Sequence, residues 1–205
     1  MLIALAAVAG YLLGSVSFAI VVSKLMRLPD PRGYGSKNPG TTNVLRTGNK
    51  AAAVLTLAGD TLKGFIAVLL ALLYLPDAAP FVGVAAFLGH VFPVYHRFQG
   101  GKGVATAAGV LLGFDAWLGL GAIATFAIIV AFFRYVSLAS MVAAVFAVFF
   151  SWFIKLSGVT TLAIAVMALL LVWRHRENVK RLIAGTESKL GAKKATPPDP
   201  SAASR

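Results

Sequence analysis

Three short polar cassettes interrupt long apolar runs, and each carries residue types that handle phosphate. The first is Gly35-Ser36-Lys37-Asn38-Pro39-Gly40-Thr41-Thr42-Asn43, continuing to Arg46. The second is Gly100-Gly101-Lys102-Gly103, and the third is Arg174-His175-Arg176-Glu177-Asn178. Glycines let bare backbone N–H groups converge on an anion, hydroxyls and amides add directed donors, and Lys or Arg adds charge. The chemistry to expect is the binding of phosphate groups next to a histidine able to take a proton at neutral pH.

In the first cassette Pro39 fixes one bend, and Thr41, Thr42 and Asn43 are placed to cap a short helix on which Arg46 lies one turn further. An ordinary solvated loop has no need of that density of glycine, hydroxyl, amide and arginine. In the second, Gly100, Gly101, Lys102 and Gly103 precede an apolar helix opening at Val104, the arrangement of an anion loop at a helix N-terminus. It is not a Walker A loop, because His96 stands where the first glycine belongs and Gly103 replaces Ser or Thr. In the third, Arg174 and Arg176 suffice to stop a membrane span, whereas His175, Glu177 and Asn178 are surplus to that. His175 and Asn178 are three apart, so they share a face if the helix continues. His175 is the general-base candidate, Asn178 a substrate contact and Glu177 a structural partner. Asp60 and Lys63, three apart inside an apolar run, are expected to pair with each other. His90 reads as a buried hydrogen-bonding residue and His96 as an interfacial one.

The elements that must position these groups are membrane helices. Hydrophobic residues make up 59% of the 205, charged residues 13%, and the mean hydropathy is +0.83; soluble chains carry about 25% charge. The apolar runs draw seven spans, near 2–23, 52–75, 80–96, 103–113, 116–133, 136–154 and 159–173, the fourth short for a crossing. The expected fold is therefore all-α, a polytopic bundle of about seven transmembrane helices. Seventeen of the nineteen Lys and Arg fall in 24–50, 97–102, at Arg134 and in 174–205, while Lys155 lies opposite and Lys63 within a span. The positive-inside rule then puts the N-terminus outside, the C-terminus in the cytoplasm and all three cassettes on the cytoplasmic face. The apolar run from Leu2 to Val22 continues past Ala7-Val8-Ala9, so it reads as a retained span rather than a removed signal. Residues 1–184 form one integral-membrane catalytic domain; 185–205, ending Pro-rich and basic, read as a disordered cytoplasmic tail.

The net charge of +12 is explained by cytoplasmic Lys and Arg rather than by nucleic acid, which is not an expected partner. With no cysteine, disulfides, thiolate metal sites and a cysteine nucleophile are excluded. There is no Gly-x-Ser-x-Gly elbow, no His-Glu-x-x-His, and no His-x4-Asp acyltransferase motif.

Gly-Ser-Lys-Asn-Pro-Gly-Thr-Thr-Asn-x-x-Arg, then Gly89-His90-Val91-Phe92-Pro93-Val94 leading to the glycine turn at Gly103, then Arg-His-x-x-Asn, resemble the bacterial acyl-phosphate-dependent glycerol-3-phosphate acyltransferases. The likeness runs from about Gly14 to Leu182. It implies an enzyme of the bacterial inner membrane that moves a fatty acyl group from acyl phosphate to the first hydroxyl of glycerol 3-phosphate. The products are lysophosphatidic acid and inorganic phosphate, the first acylation of phospholipid synthesis. It further implies that Ser36 and Arg46 contact substrate phosphate or the reacting carbonyl, with Thr41 and Asn43 beside them. Gly100 to Gly103 with Lys102 would hold phosphate, and His175 with Asn178 would complete the site. Fatty acyl phosphate, glycerol 3-phosphate and the bilayer are the implied partners; no metal or cofactor is expected. The proton of the attacking hydroxyl goes either to His175 or to a substrate phosphate oxygen. The rival reading is a membrane carrier or channel for a phosphorylated metabolite, against which the absence of an internal repeat counts.

Overall fold

The computed structural model describes residues 1–191, which are helical, with no strand among them. The helices are α1 (Leu2–Gly14), α2 (Phe18–Leu25), α3 (Thr41–Val44), α4 (Lys50–Tyr74), α5 (Ala79–Val91), α6 (Val104–Phe114), α7 (Ala116–Phe133), α8 (Val136–Phe153), α9 (Gly158–Arg174) and α10 (Arg176–Ile183). Five segments are long and apolar enough to cross a membrane: Leu2–Leu25, Lys50–Tyr74, Pro76–His96, Ala116–Phe133 and Val136–Phe153. A sixth is reached if α9 and α10, bent by 56° at their junction, are taken as one. The expected fourth span corresponds to α6, which has 11 residues. At 1.5 Å per residue that is about 16 Å, well short of a ~30 Å hydrocarbon layer.

Caps start the long helices where the sequence turns polar. The Asn49 side chain accepts from Ala52 N at 3.0 Å, Asp115 from Leu118 N at 2.9 Å and Ser157 from Thr160 N at 3.2 Å, satisfying N–H groups that a helix start leaves open. Packing relies on small residues, as it does where lipid supplies no hydrophobic drive between helices. Helix α1 lies on α5 and α4 on α6. A side chain at Gly14 would run into the Ala86 backbone, and one at Gly64 or Gly109 into the Thr106 or Thr61 carbonyl. Large apolar side chains such as Leu73, Phe132, Phe149, Trp152 and Leu169 point outward and stay exposed, forming a lipid-facing surface.

The first apolar run is broken between α1 and α2, and that break is used. Helix ends leave carbonyls and amides unpaired, which inside a membrane is expensive. Here the Val16 carbonyl accepts from Lys63 Nζ at 2.6 Å and the Phe18 amide donates to Asp60 Oδ1 at 3.4 Å. Lys63 and Asp60, 2.8 Å apart on α4, thus pair with each other and also mend the broken helix.

The expected tail opens with a packed stretch. Leu190 N donates to the Arg134 carbonyl at 2.7 Å, and Arg134 Nη2 donates back to the Leu190 carbonyl at 2.8 Å. Residues 192–205, the remainder of that tail, lie outside the described residues.

Candidate active site

The glycine loop is the centre on which the three cassettes converge. Gly101 N donates to the His90 carbonyl at 3.1 Å, fixing the loop to the end of α5. Arg174 Nη2 donates to the Gly100 carbonyl at 3.1 Å, tying the loop to the end of α9. From the first cassette, the Pro39 carbonyl closes on Gly101, where it would be 2.9 Å from an added Cβ. Gly100, Gly101 and Gly103 are buried. A Cβ on Gly101 would strike the His90 ring, and one on Gly103 the Phe87 ring. Gly103 also has φ +84°, a left-handed turn that opens α6.

The first cassette is shaped by Asn43 rather than capped by it. Helix α3 starts from Gly40 with no side-chain cap, contrary to the expectation that Thr41, Thr42 and Asn43 cap it. Asn43 sits inside the helix, buried, with its amide turned back on the loop. Its Nδ2 donates to the Pro31 carbonyl at 2.7 Å and the Tyr34 carbonyl at 3.2 Å, while Oδ1 accepts from Ser36 N at 3.0 Å. The side chain expected to touch substrate is thus occupied as a clasp, because a buried turn must satisfy its backbone groups somewhere. The clasp leaves Ser36 and Arg46 exposed. Gly35, at φ +58°, makes room for the Arg46 stem, whose Cδ would be 3.0 Å from an added Cβ. Thr41 is half-buried at the first turn of α3.

The third cassette does not continue straight. Helix α9 ends at Arg174, His175 is its C-cap, and α10 starts at Arg176. His175 and Asn178 are both buried, at 2% and 7% exposure, and they keep their spacing of three on the second helix, whose first turn His175 opens by accepting from Val179 N at 2.9 Å. His175 Nδ1 lies 2.9 Å from the Leu171 carbonyl. A carbonyl only accepts, so Nδ1 carries the hydrogen and Nε2 keeps its lone pair. Burial first, then the Lys102 charge, lowers the imidazole to a pKa of about 4, leaving it neutral at pH 7.

Lys102 Nζ donates to Asn178 Oδ1. Asn178 Nδ2 donates to Glu187 Oε1 at 2.6 Å; the same oxygen accepts from Ser137 Oγ at 2.7 Å, and Oε2 from Arg181 Nε at 2.7 Å. Burial, partly offset by the Glu187 carboxylate, lowers Lys102 to a pKa of about 8. Its ammonium is thus charged at pH 7, is desolvated, and meets a single acceptor among the described residues. Glu187 itself is held below the usual carboxylate range because the bonds from Ser137, Asn178 and Arg181 outweigh its burial.

Glu187, not Glu177, is the structural carboxylate of this end of the molecule. Glu177 is exposed and faces Lys180 at 3.2 Å and Arg176 at 3.8 Å, outside the cluster. Glu187 lies beyond residue 184, where the sequence reading ends the domain, and nothing in the basic segment that it shares with Glu177 and Asp199 marks it out. Asp60 and Lys63 lie on the other side of the loop and take in His90, whose Nδ1 is 3.0 Å from Lys63 Nζ. Among the described residues no group of three or more Asp, Glu or His side chains is spaced to hold a metal ion.

What the assembled end can do is bind anions. It offers loop and helix-start N–H groups, an under-coordinated ammonium, the Arg174 guanidinium and a neutral imidazole whose second nitrogen has no partner among the described residues. A small apolar crevice of about 20 Å³, lined by Ala107, Leu111, Ala147, Ile164 and Met167, lies between α6, α8 and α9.

Residues 4–185 match the family model described as glycerol-3-phosphate acyltransferase. The glycerol-3-phosphate acyltransferase of Cupriavidus necator (strain H16) is 60% identical over 194 residues, covering 92% of this chain and 96% of its own. That of Burkholderia lata is 60% identical over 203 residues, 97% and 96% of the two chains. The crystal structure of PlsY (YgiH), an integral membrane glycerol 3-phosphate acyltransferase, in its glycerol 3-phosphate form is similar with a TM-score of 0.89 and 38% identity. The match covers 93% of this chain and 96% of that one. The lysophosphatidic acid form of the same protein gives 0.87 and 37% over the same shares.

Proposed function

This chain belongs to the glycerol-3-phosphate acyltransferase family and is an integral-membrane enzyme of it, and from that premise we propose that acyl phosphate is its donor and lysophosphatidic acid its product. The observation that carries the reading is the single cluster formed by the buried glycine loop, Lys102 with one protein acceptor, and His175 with a free Nε2. Two anionic substrates must meet there against mutual repulsion, and a site rich in fixed cations and N–H donors lowers that cost.

In the proposed reaction the 1-hydroxyl oxygen of glycerol 3-phosphate attacks the acyl carbonyl carbon. The bond from that carbon to the phosphate oxygen breaks, and inorganic phosphate leaves with the electron pair. His175 Nε2 accepts the hydroxyl proton and passes it to the departing phosphate. Lys102 and the loop N–H groups other than that of Gly101, which is spent on the His90 carbonyl, hold phosphate, with Ser36, Arg46 and Thr41 closing from the first cassette and Asn178 steadying Lys102. Asn43 acts on substrate only by shaping the loop that carries Ser36. The acyl chain lies between the helices, against apolar side chains open to the bilayer.

The topology proposed with this reading has seven crossings, counting α6 and α9. The N-terminus is outside and the site faces the cytoplasm of a bacterial inner membrane. The charge distribution supports it, with Asp77 and Asp115 rather than Lys or Arg in two of the outer turns. Detergent-purified protein given acyl phosphate should release inorganic phosphate only when glycerol 3-phosphate is present; release independent of acceptor, or none, defeats the reading. For the topology, Ser36→Cys in this cysteine-free chain should resist a membrane-impermeant thiol reagent in intact cells, while Asp77→Cys should react. Labelling of Ser36→Cys from outside would reverse the orientation.

A further inference from the structure

The buried Asp60–Lys63–His90 cluster lies directly behind the glycine loop and is not used by the reaction above. Lys63 Nζ has three acceptors: Val16 O at 2.6 Å, Asp60 Oδ1 at 2.8 Å and His90 Nδ1 at 3.0 Å. An ammonium has three hydrogens and no lone pair, so it is saturated and His90 Nδ1 must be the accepting nitrogen. Asp60 Oδ1 is 3.5 Å from that nitrogen, a longer contact that adds field rather than a hydrogen bond. The ring hydrogen of His90 is therefore on Nε2.

Nε2 is the end of the ring that meets the site. It abuts Gly101 so closely that a Cβ there would overlap it, and the Pro39 carbonyl flanks the same point. The carbonyl of His90 meanwhile accepts the Gly101 amide at 3.1 Å. One residue thus grips Gly101 from both its backbone and its ring, where the second cassette touches the first.

We propose that Lys63 and His90 are positioning residues. Lys63 fixes the His90 tautomer, and the Nε2–H edge of His90 sets the spacing between the glycine loop and the first cassette for phosphate. The proposal rests on the reading of the loop as a phosphate site. It makes no use of Lys63 or His90 as an acid or base.

The two amide replacements of histidine separate the two ends of the ring. Gln places its NH2 near the position of Nε2, whereas Asn reaches only as far as Nδ1 and can keep the Lys63 contact but not the loop contact. His90→Asn should raise the KM for glycerol 3-phosphate about 3- to 10-fold, because the loop loses the ring edge that spaces it, a change of about 0.7–1.4 kcal/mol in affinity, with kcat nearly kept. His90→Gln should recover most of that loss. In Gly101→Ala, whose methyl strikes the His90 ring, adding His90→Asn should restore affinity rather than weaken it further. Equal behaviour of Asn and Gln, or a fall in kcat and in yield of folded protein with KM unchanged, would mean that the cluster only stabilises the bundle and would overturn the proposal. Direct binding of glycerol 3-phosphate by calorimetry repeats the comparison without turnover. If wild-type protein binds the acceptor but does not consume acyl phosphate, the donor reading fails while the Asn–Gln comparison still decides this one.

Discussion

His90 and His175 stand on two sides of the glycine loop, both buried, both bonded through Nδ1, and yet in opposite states. At His90 the partner is an ammonium that can only donate, so Nε2 is a donor; at His175 the partner is a carbonyl that can only accept, so Nε2 is an acceptor. The same contrast separates the lysines beside them. Lys63 has all three hydrogens engaged within the protein, whereas Lys102 has one acceptor among the described residues. Residue type alone therefore predicts neither role. In the proposed reaction the saturated pair shapes the site, and the pair left unsaturated among the described residues offers its lone pair and hydrogens to substrate.

The contrast is broken most directly at His175. If its free Nε2 is the base, His175→Ala should lower kcat by about 10²–10⁴-fold. His175→Gln, which keeps a hydrogen bond but no comparable basicity, should be almost as poor. A glutamine variant with most of its activity would move His175 to the positioning side, alongside His90, and hand the proton to a substrate phosphate oxygen.

Lys102→Ala comes next. It removes a charge-assisted contact of about 1.5–3 kcal/mol, expected as about a 10- to 150-fold loss in kcat/KM. The contrasting Lys63→Met change should instead show first as lost folded protein, since it leaves a buried carboxylate unpaired at a cost of about 3–5 kcal/mol. A Lys102→Ala protein that kept normal kinetics but lost stability would erase the distinction between the two lysines.

Gly101→Ala is expected to be milder, about 10-fold in KM. The methyl must displace the His90 ring or the Pro39 carbonyl, overpacking of about 1–3 kcal/mol that local movement partly relieves. An effect confined to kcat would place the strain elsewhere.

The smallest effect is the pH dependence near neutrality. His175, lowered to about 4, is already deprotonated there, and Lys102, lowered to about 8, is mostly charged. The free-enzyme contribution to kcat/KM should therefore be nearly flat from about pH 5 to 7. It should fall as pH drops towards the His175 value, where the base is lost, and fall about tenfold by one unit above the Lys102 value, where the ammonium is lost. Lys102→Arg should remove the alkaline limb, because guanidinium does not titrate in this range. An alkaline limb that survives the arginine change belongs to another group.

The residues themselves were enough to place this chain in a membrane and to pick out three polar cassettes that the fold brings together at the glycine loop, because hydropathy and glycine density are local properties. They also foretold that Asp60 and Lys63 pair, since two opposite charges inside an apolar run have few other ways to be accommodated. What they could not show was direction and saturation. Asn43 was legible as a polar residue beside a phosphate-like loop, yet only the folded turn reveals that Pro31, Tyr34 and Ser36 use up its amide. Glu177 and Glu187 look alike in a basic segment, and the bend at His175 together with the return of residues 185–191 decides which one faces Asn178. The tautomers of His90 and His175 are set by an ammonium 27 positions away in the chain and a carbonyl four residues back. Composition and periodicity fix what a segment is made of and which medium it prefers; which hydrogen each buried nitrogen keeps depends on partners that only tertiary packing brings within reach.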